Sequence, residues 1–478
     1  MAKNYTYPGV YVEEISNFPP SIVPVATAIP VFIGYTEKAE NIVADDLLLK
    51  PIRLSSKTEY SKYFGGPRKE EGIVITINET QTNGVTTDLK AVASISESVR
   101  SKHIMFYAMQ MFFANGGGTC WIVSVGKYKS LFSDLPIKTE LEAGLNLLKE
   151  VDEPSIIVFP EAQNLPISDF KALHDSALLQ CKTRQDRFVI MDIHGDNISL
   201  SNPGSKLLLA INNFRKNGIG NDNLKYGAAY APNIETVLNY SFNETKTDVI
   251  NVINGTAMPA VKLSAMKNLD TTKYEIAKNA IRAIPCIVPP SGAIAGIYAS
   301  VDNSRGVWKA PANMSITDCL RPATDLSESE LDQMNIDTVN GKSVNAIKAF
   351  TGKGNLVWGA RTLAGNDNEW RYVNVSRFFI FVEESLKKGT ARFVFEPNNA
   401  TTWVRVQAMI ENFLTGLWRQ GALLGSKPDQ AFYIAVGLGK TMTVKDIQDG
   451  NMVIEIGMAV IRPAEFIIFR FSLKMAES

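Results

Sequence analysis

The chain has 478 residues, 45% of them hydrophobic and 21% charged, a profile that excludes wholesale disorder and, at this length, predicts two or three packed domains rather than one core. Its 49 basic and 49 acidic residues leave no net formal charge. Neutrality argues against nucleic acid as a partner, because phosphate binding needs concentrated positive charge, and it removes a barrier to self-association.

From Met1 to Pro30 five prolines, Pro8, Pro19, Pro20, Pro24 and Pro30, separate short β-branched pieces such as Val10-Tyr11-Val12. The pattern predicts an extended arm. Unpaired backbone in such an arm needs a partner, either its own domain or a neighbouring copy by strand addition. A long helix is expected from Leu89 to Ala114, ended by Gly116-Gly117-Gly118. Strand-like and helix-like pieces then alternate: Trp121 to Val125, Glu140 to Lys149, Ser155 to Phe159, Ile167 to Lys182, Phe188 to Ile193, Ser205 to Asn217 and Tyr226 to Tyr230. Alternation of this kind indicates an α/β domain with a largely parallel sheet, and the wholly apolar Ile156-Ile157-Val158-Phe159 reads as a strand covered on both faces.

The block from Pro289 to Asn313 is rich in particular residues and poor in reactive ones. Its small residues Ala293 to Ala299 permit close helix packing and Trp308 supplies an apolar anchor, so a packing or assembly role is expected there. After Trp370 the pattern changes to an α+β module. Ser376 is expected to cap a helix bearing Phe379, Val382 and Leu386, with Lys387 and Lys388 in its last turn. A second helix is expected from Thr402 to Gln420, with Val406, Met409, Ile410, Phe413, Leu414 and Leu417 on one face. Strands are expected at Met452 to Ile456 and Glu465 to Leu473.

Candidate chemistry is sparse. Gly437-Leu438-Gly439-Lys440-Thr441 resembles the end of a phosphate-binding loop, but Ile434 stands where the first glycine is required, so a turn between strands is the better reading. Asp192, His194 and Asp196 form D-x-H-x-D at a strand end, where two carboxylates and an imidazole could hold a divalent ion; a polar loop is the commoner fate of such a run. The three histidines, His103, His174 and His194, have no nucleophile motif beside them. Cys120, Cys181, Cys286 and Cys319 lack C-x-x-C spacing and are read as reduced, buried thiols. The N-terminus lacks a signal-peptide pattern and no run reaches the ~18 apolar residues of a membrane span, so synthesis and folding in a cytoplasm are expected. No catalytic residue, cofactor or metal is assigned.

Several runs carry a family resemblance: Tyr7-Pro8-Gly9-Val10-Tyr11-Val12-Glu13-Glu14, Phe112 to Gly118 with Cys120-Trp121-Ile122-Val123, the Pro289–Asn313 block, Val357-Trp358-Gly359-Ala360-Arg361-Thr362-Leu363, and Phe395-Glu396-Pro397-Asn398. In this order they resemble contractile tail sheath proteins of phages and of phage-tail-like extracellular contractile injection systems. Residues 56–90 and 240–270 match none of the family's runs and are expected to be insertions. The resemblance implies an extended arm at 1–30, an α/β main domain at 31–370 with a subtilisin-like sheath fold that has no protease activity, and an α+β C-terminal domain at 371–478 ending in a linking strand. It also implies a non-catalytic structural subunit, stacked as six-subunit rings in a helical tube around an inner tube, that contracts to drive the tube through an envelope.

Linkage between subunits would fall to Val10, Tyr11, Val12 and Glu13 in the arm and to Phe469, Arg470, Phe471 and Leu473 at the end. Lys387, Lys388, Arg405 and Arg419 are the candidates for contact with the tube. Implied partners are further copies of the chain, the inner tube protein, baseplate and tail terminator proteins and other sheath isoforms, with neither nucleic acid nor direct membrane insertion. Assembly in a bacterial cytoplasm, as part of a phage tail or of a released particle, goes with this. The alternative from another class is an α/β hydrolase-like enzyme with a site near Asp192 and His194.

Overall fold

The computed structural model describes residues 21–132, 134–196, 204–466 and 468. The chain divides into two compact units, a larger one from Ala26–Phe381 and Arg462–Ser478 and a smaller one from Met1–Val25 and Val382–Ile461, each counted through its described residues.

A nine-stranded sheet organises the larger unit, in the order 314–315, 354–357, 345–350, 227–231, 188–192, 156–158, 30–36, 120–127 and 51–54. The six strands from 345–350 to 120–127 pair in parallel, and antiparallel strands close both edges. The mixed, mostly parallel sheet agrees with the α/β expectation. Pro30–Thr36, Ile156–Val158 and Phe188–Asp192 are buried along their whole lengths, as strands covered on both faces must be. Alternation of side chains sorts the covering helices. Phe32 meets Phe112 at 5.3 Å on the helix Met105–Ala114, while Ile33, pointing the other way, lies against Gly144 of the helix Lys138–Leu147.

The Pro289–Asn313 block forms the buried helix Ser291–Arg305 and the loop after it. A methyl group on Gly292 would lie 2.4 Å from the Ala108 carbonyl oxygen, and one on Gly296 would lie 2.5 Å from that of Phe112. Only glycine allows the two backbones to approach this closely, so the small-residue segment seats this helix on Met105–Ala114. Further along, Asp302 takes a double hydrogen bond from the buried Arg377, at 2.6 and 3.0 Å. Trp308 packs edge-on to Phe378, and its carbonyl accepts from Asn374 Nδ2 at 2.9 Å. Thus the block ties the sheet to the start of the helix Val373–Thr390.

Two expectations are corrected. Residues 89–114 are not one helix: Ile73–Thr82 and Val85–Ile95 form a hairpin, and the helix begins only at Met105. Asn83 and Gly84 both have positive φ, +52° and +78°, the turn geometry that hairpins favour. In the second strand Leu89, Ala91, Ala93 and Ile95 are half-buried and their neighbours exposed, a period of two. Ser376 does not cap a helix either. The helix starts at Val373, and the Ser376 hydroxyl, inside its first turns, donates to the Lys225 carbonyl at 2.7 Å.

The hairpin continues into a second sheet. Ile73–Thr82 pairs in parallel with Asp248–Ile253, so the two stretches that matched no family run come together. Glu79, buried in this sheet, accepts from Lys273, Thr86, Gln81 and Asn251 at 2.6 to 3.0 Å. Those bonds hold its carboxyl well below the usual range. One side chain thereby joins the hairpin, the returning strand and the helix Thr271–Arg282.

In the smaller unit Asn399 caps the helix Ala400–Arg419. Val406, Met409, Ile410, Phe413, Leu414 and Leu417 are buried as their spacing predicts. Phe432–Val436 pairs antiparallel with Ile454–Met458 in a two-stranded sheet. Val25 N donates to Ser385 Oγ at 3.1 Å, and Ile22 lies against Gly389.

Gly296→Ala should destabilise the chain by about 1–3 kcal/mol, because overpacking outweighs the gain in helix propensity. Gly118→Ala, whose methyl meets nothing within 4 Å, should change stability by under about 0.5 kcal/mol. Urea unfolding of both variants measures the difference.

Candidate functional site

In a sheet of this kind ligands bind beyond the carboxyl ends of the strands, at the point where successive connections run to opposite sides. Here that point lies between Pro30–Thr36 and Ile156–Val158, since 120–127 lies on one side of 30–36 and 156–158, 188–192 and 227–231 follow on the other. Glu161, from the loop just beyond Val158, fills it. Its carboxyl group is fully buried and accepts Tyr35 N and Ile104 N, both at 3.1 Å.

His103 Nδ1 lies 3.5 Å from the same carboxyl. Its Nε2 accepts Lys129 N at 3.0 Å, which assigns the ring proton to Nδ1. The ring is sandwiched by Tyr128 and Tyr35, with centroids at 5.2 and 5.0 Å. Tyr35 donates to Glu140, which pairs with Lys129 at 2.8 Å. The position where a ligand anion would meet backbone amides is taken by the protein's own Glu161. A lone glutamate in a loop gives no sequence signal of this, and the sequence reading missed it.

Asp192, His194 and Asp196 are each engaged by a different part of the protein. Asp192 Oδ1 accepts Ser291 N at 2.9 Å, at the start of the helix Ser291–Arg305. His194 Nε2 is 2.9 Å from the Leu165 carbonyl and edge-on to Phe170. Asp196 Oδ2 accepts Asn233 N at 2.7 Å, and Asn233 is further held by Gln163. Among the described residues no His, Cys, Asp and Glu side chains cluster as a metal site would require. The third histidine, His174, is buried with Nδ1 2.9 Å from the Phe170 carbonyl, and burial pushes it down to about 4.

Gly437–Thr441 is a turn after the strand Phe432–Val436: Thr441 Oγ1 donates to Val453 O at 2.7 Å, and Lys440 is exposed. The cysteines are free, three of them buried, and burial pushes the Cys120, Cys286 and Cys319 thiols up to about 12. Lys387 and Lys388 both reach Glu384, at 3.5 and 3.1 Å. Arg405 lies 3.9 Å from Glu396 and over Phe393, and Arg419 is exposed in the last turn of its helix. Val10, Tyr11, Val12, Glu13, Phe469, Arg470, Phe471 and Leu473 lie outside the described residues, and Glu465 and Phe466 are not in a strand.

Burial pushes the Asp192 carboxyl up to about 7 and that of Asp196 up to about 8. Both values exceed the unfolded one of about 3.9, so the folded chain binds these protons more tightly. Their stabilisation is complete below that unfolded value and is lost as pH rises through 7 to 8. Asp196→Asn should therefore flatten the fall of Tm between about pH 4 and pH 8, by a few degrees, with little change below about pH 4. Thermal melts across pH check this; an unaltered slope would contradict it.

Residues 203–363 match the phage tail sheath protein central domain, and residues 365–474 match the phage tail sheath C-terminal domain. The tail sheath protein of Vibrio phage KVP40 is 25% identical over 139 residues, 28% of this chain, which spans only 20% of that protein's length. Among solved structures the sheath complex of the extracellular contractile injection system PVC, in its contracted state, superposes with a TM-score of 0.62 at 26% identity, covering 98% of both chains. The helical sheath of the anti-feeding prophage, also contracted, gives 0.62 at 27% identity over 98% of this chain and 99% of the other. The chain belongs to the phage tail sheath family and is a tail sheath subunit of the kind found in contractile phage tails or extracellular contractile injection systems, a structural family without catalysis.

Proposed function

We propose that this chain stacks with its own copies as six-subunit rings in a helical sheath around an inner tube, and that the sheath contracts to drive the tube through a target envelope. The observation that carries this reading is the incomplete sheet of the smaller unit. Phe432–Val436 and Ile454–Met458 pair only with each other among the described residues. Tyr433, Leu438, Val444 and Val453 around them are exposed. A two-stranded sheet is marginal on its own and invites further strands.

Neighbouring copies supply those strands in this reading: the arm through Val10, Tyr11, Val12 and Glu13, and the chain end through Phe469, Arg470, Phe471 and Leu473. Main-chain hydrogen bonds made by strand addition survive a change of angle between rigid bodies, and a head-to-tail contact that does not close on itself generates an open helix. In domain terms, 1–30 is the arm, 31–370 the main body with a subtilisin-like arrangement, and 371–478 the C-terminal domain.

Lys387, Lys388, Arg405 and Arg419 are the groups we assign to the tube. The two lysines share one carboxylate, which leaves net positive charge at that helix end. The extended sheath is a kinetically trapped state, and the sum of many small interface gains powers the stroke without nucleotide. Baseplate and terminator proteins bound the tube; one solved relative, 26% identical, comes from the anti-feeding prophage baseplate. The assembled object is a phage tail or an extracellular particle.

Deleting Met1 to Ser16 should leave a subunit that melts cooperatively but forms no striated tubes in electron micrographs. Normal tubes from the truncated chain would refute linkage through the arm.

A further inference from the structure

The run Val357–Leu363 carries one of the family-like sequence patterns. Its geometry is devoted to Arg361. Arg361 N donates to Asn345 Oδ1 at 2.7 Å, and Asn345 Nδ2 donates back to the Arg361 carbonyl at 2.8 Å. Gly359 makes this approach possible, since a methyl group there would lie 2.7 Å from Asn345 Oδ1 and 3.1 Å from its Cα. Across from it, Arg361 bridges to Tyr372. The backbone of this arginine is thus fixed on both sides, and its side chain is 5% exposed.

The guanidinium is spent on the chain end. Nε donates to Glu465 Oε1 at 2.7 Å and Nη2 to Oε2 at 2.5 Å, a two-pronged pairing, and Tyr372 adds its hydroxyl to Oε2 at 3.3 Å. After the smaller unit the chain belongs to the larger one again from Arg462. Immediately beyond Glu465, Phe466 and Ile468 are 67% and 76% exposed. Apolar side chains that follow a fixed point and find no cover on their own body need cover from elsewhere.

We propose that Arg361 and Glu465 form a latch that sets where the C-terminal segment leaves the body to reach a second copy of this chain. Arg361 is a positioning residue; it does not itself touch the neighbour. Strand addition demands a single register, since a slip by one residue turns every side chain to the wrong face. A fixed origin lowers the ordering cost of docking and raises the effective concentration of the strand at its acceptor. The inference rests on the strand-linkage reading above and adds to it the element that aims the strand.

The test uses full-length Arg361→Glu, Glu465→Arg and the double swap, read in two ways. On the isolated subunit, chymotryptic cleavage next to Phe466 should speed up about tenfold in either single variant, as local opening rises when a shielded pair is broken, and should return to the parent rate in the swap. In assembly, both single variants should give few or no tubes and the swap should restore them. Parent-like cleavage in the single variants would overturn the latch. So would faster cleavage with normal tubes, or loss of the cooperative melt that the swap does not repair. A parent chain truncated after Glu465 separates the two ideas: if it still builds normal tubes, linkage through the chain end has failed, whatever the latch does.

Discussion

The close seat of one helix on another is the constraint from which the larger unit follows. Gly292 and Gly296 bring the helix Ser291–Arg305 to within contact of the Ala108 and Phe112 carbonyls, and side chains at those positions would force the two apart. That distance sets where Asp302 and Trp308 emerge, and those residues receive Arg377, Asn374 and Phe378. Arg377 also lies over the Tyr298 ring at 4.6 Å, and the Tyr298 hydroxyl meets that of Tyr230 at 2.7 Å. A buried ion pair is strongly destabilised when one partner is lost. An error of an ångström at the glycines would therefore be felt by the start of the helix Val373–Thr390.

The carboxyl ends of the parallel strands show how a sheet of enzyme-like layout serves a structural subunit. Crevices at such ends are where chemistry usually sits, and here backbone amides that line them are met by the protein's own carboxyls. Glu161 satisfies the amides of Tyr35 and Ile104, Asp192 that of Ser291, and Asp196 that of Asn233. Each removes a backbone donor that a ligand would otherwise have met. The same bonds tie strand ends to helix starts and loops, so polar groups that would be catalytic elsewhere stiffen the body here.

Local pattern made much of this legible. The apolar spacing of Val406 to Leu417 located a helix to within two residues, and the alternation from Trp121 to Tyr230 gave the parallel sheet. What failed was non-local or hidden in small signals. The Asn83-Gly84 turn is a two-residue signal, and without it the period-two strand Val85–Ile95 passes for the front of the helix that follows. Pairing of Ile73–Thr82 with Asp248–Ile253 joins segments far apart in sequence, and neither segment alone predicts the other. Glu79 and Glu161 are single glutamates whose roles appear only once several elements converge on them. A metal site across Asp192, His194 and Asp196 would need strand alternation to carry all three to one face, and the strand ends at Asp192.

The contractile assembly we propose asks each subunit to change its angle to its neighbours without changing itself, and on that reading the two demands fall on different parts of this chain. Rigidity belongs to buried hubs: Arg377 with Asp302, Glu79 with Lys273, and Arg187, fully buried, with Asp186 and the Leu148 and Val151 carbonyls. Such pairs tolerate little partial displacement, because each group displaced is a charge without water. Compliance falls, on the linkage we propose, to strands that bond through main chain and so make few demands on side-chain shape. The neutral charge balance fits that division. On the same proposal, long-range repulsion between stacked copies would load the linking strands, and a chain with as many acidic as basic residues avoids it.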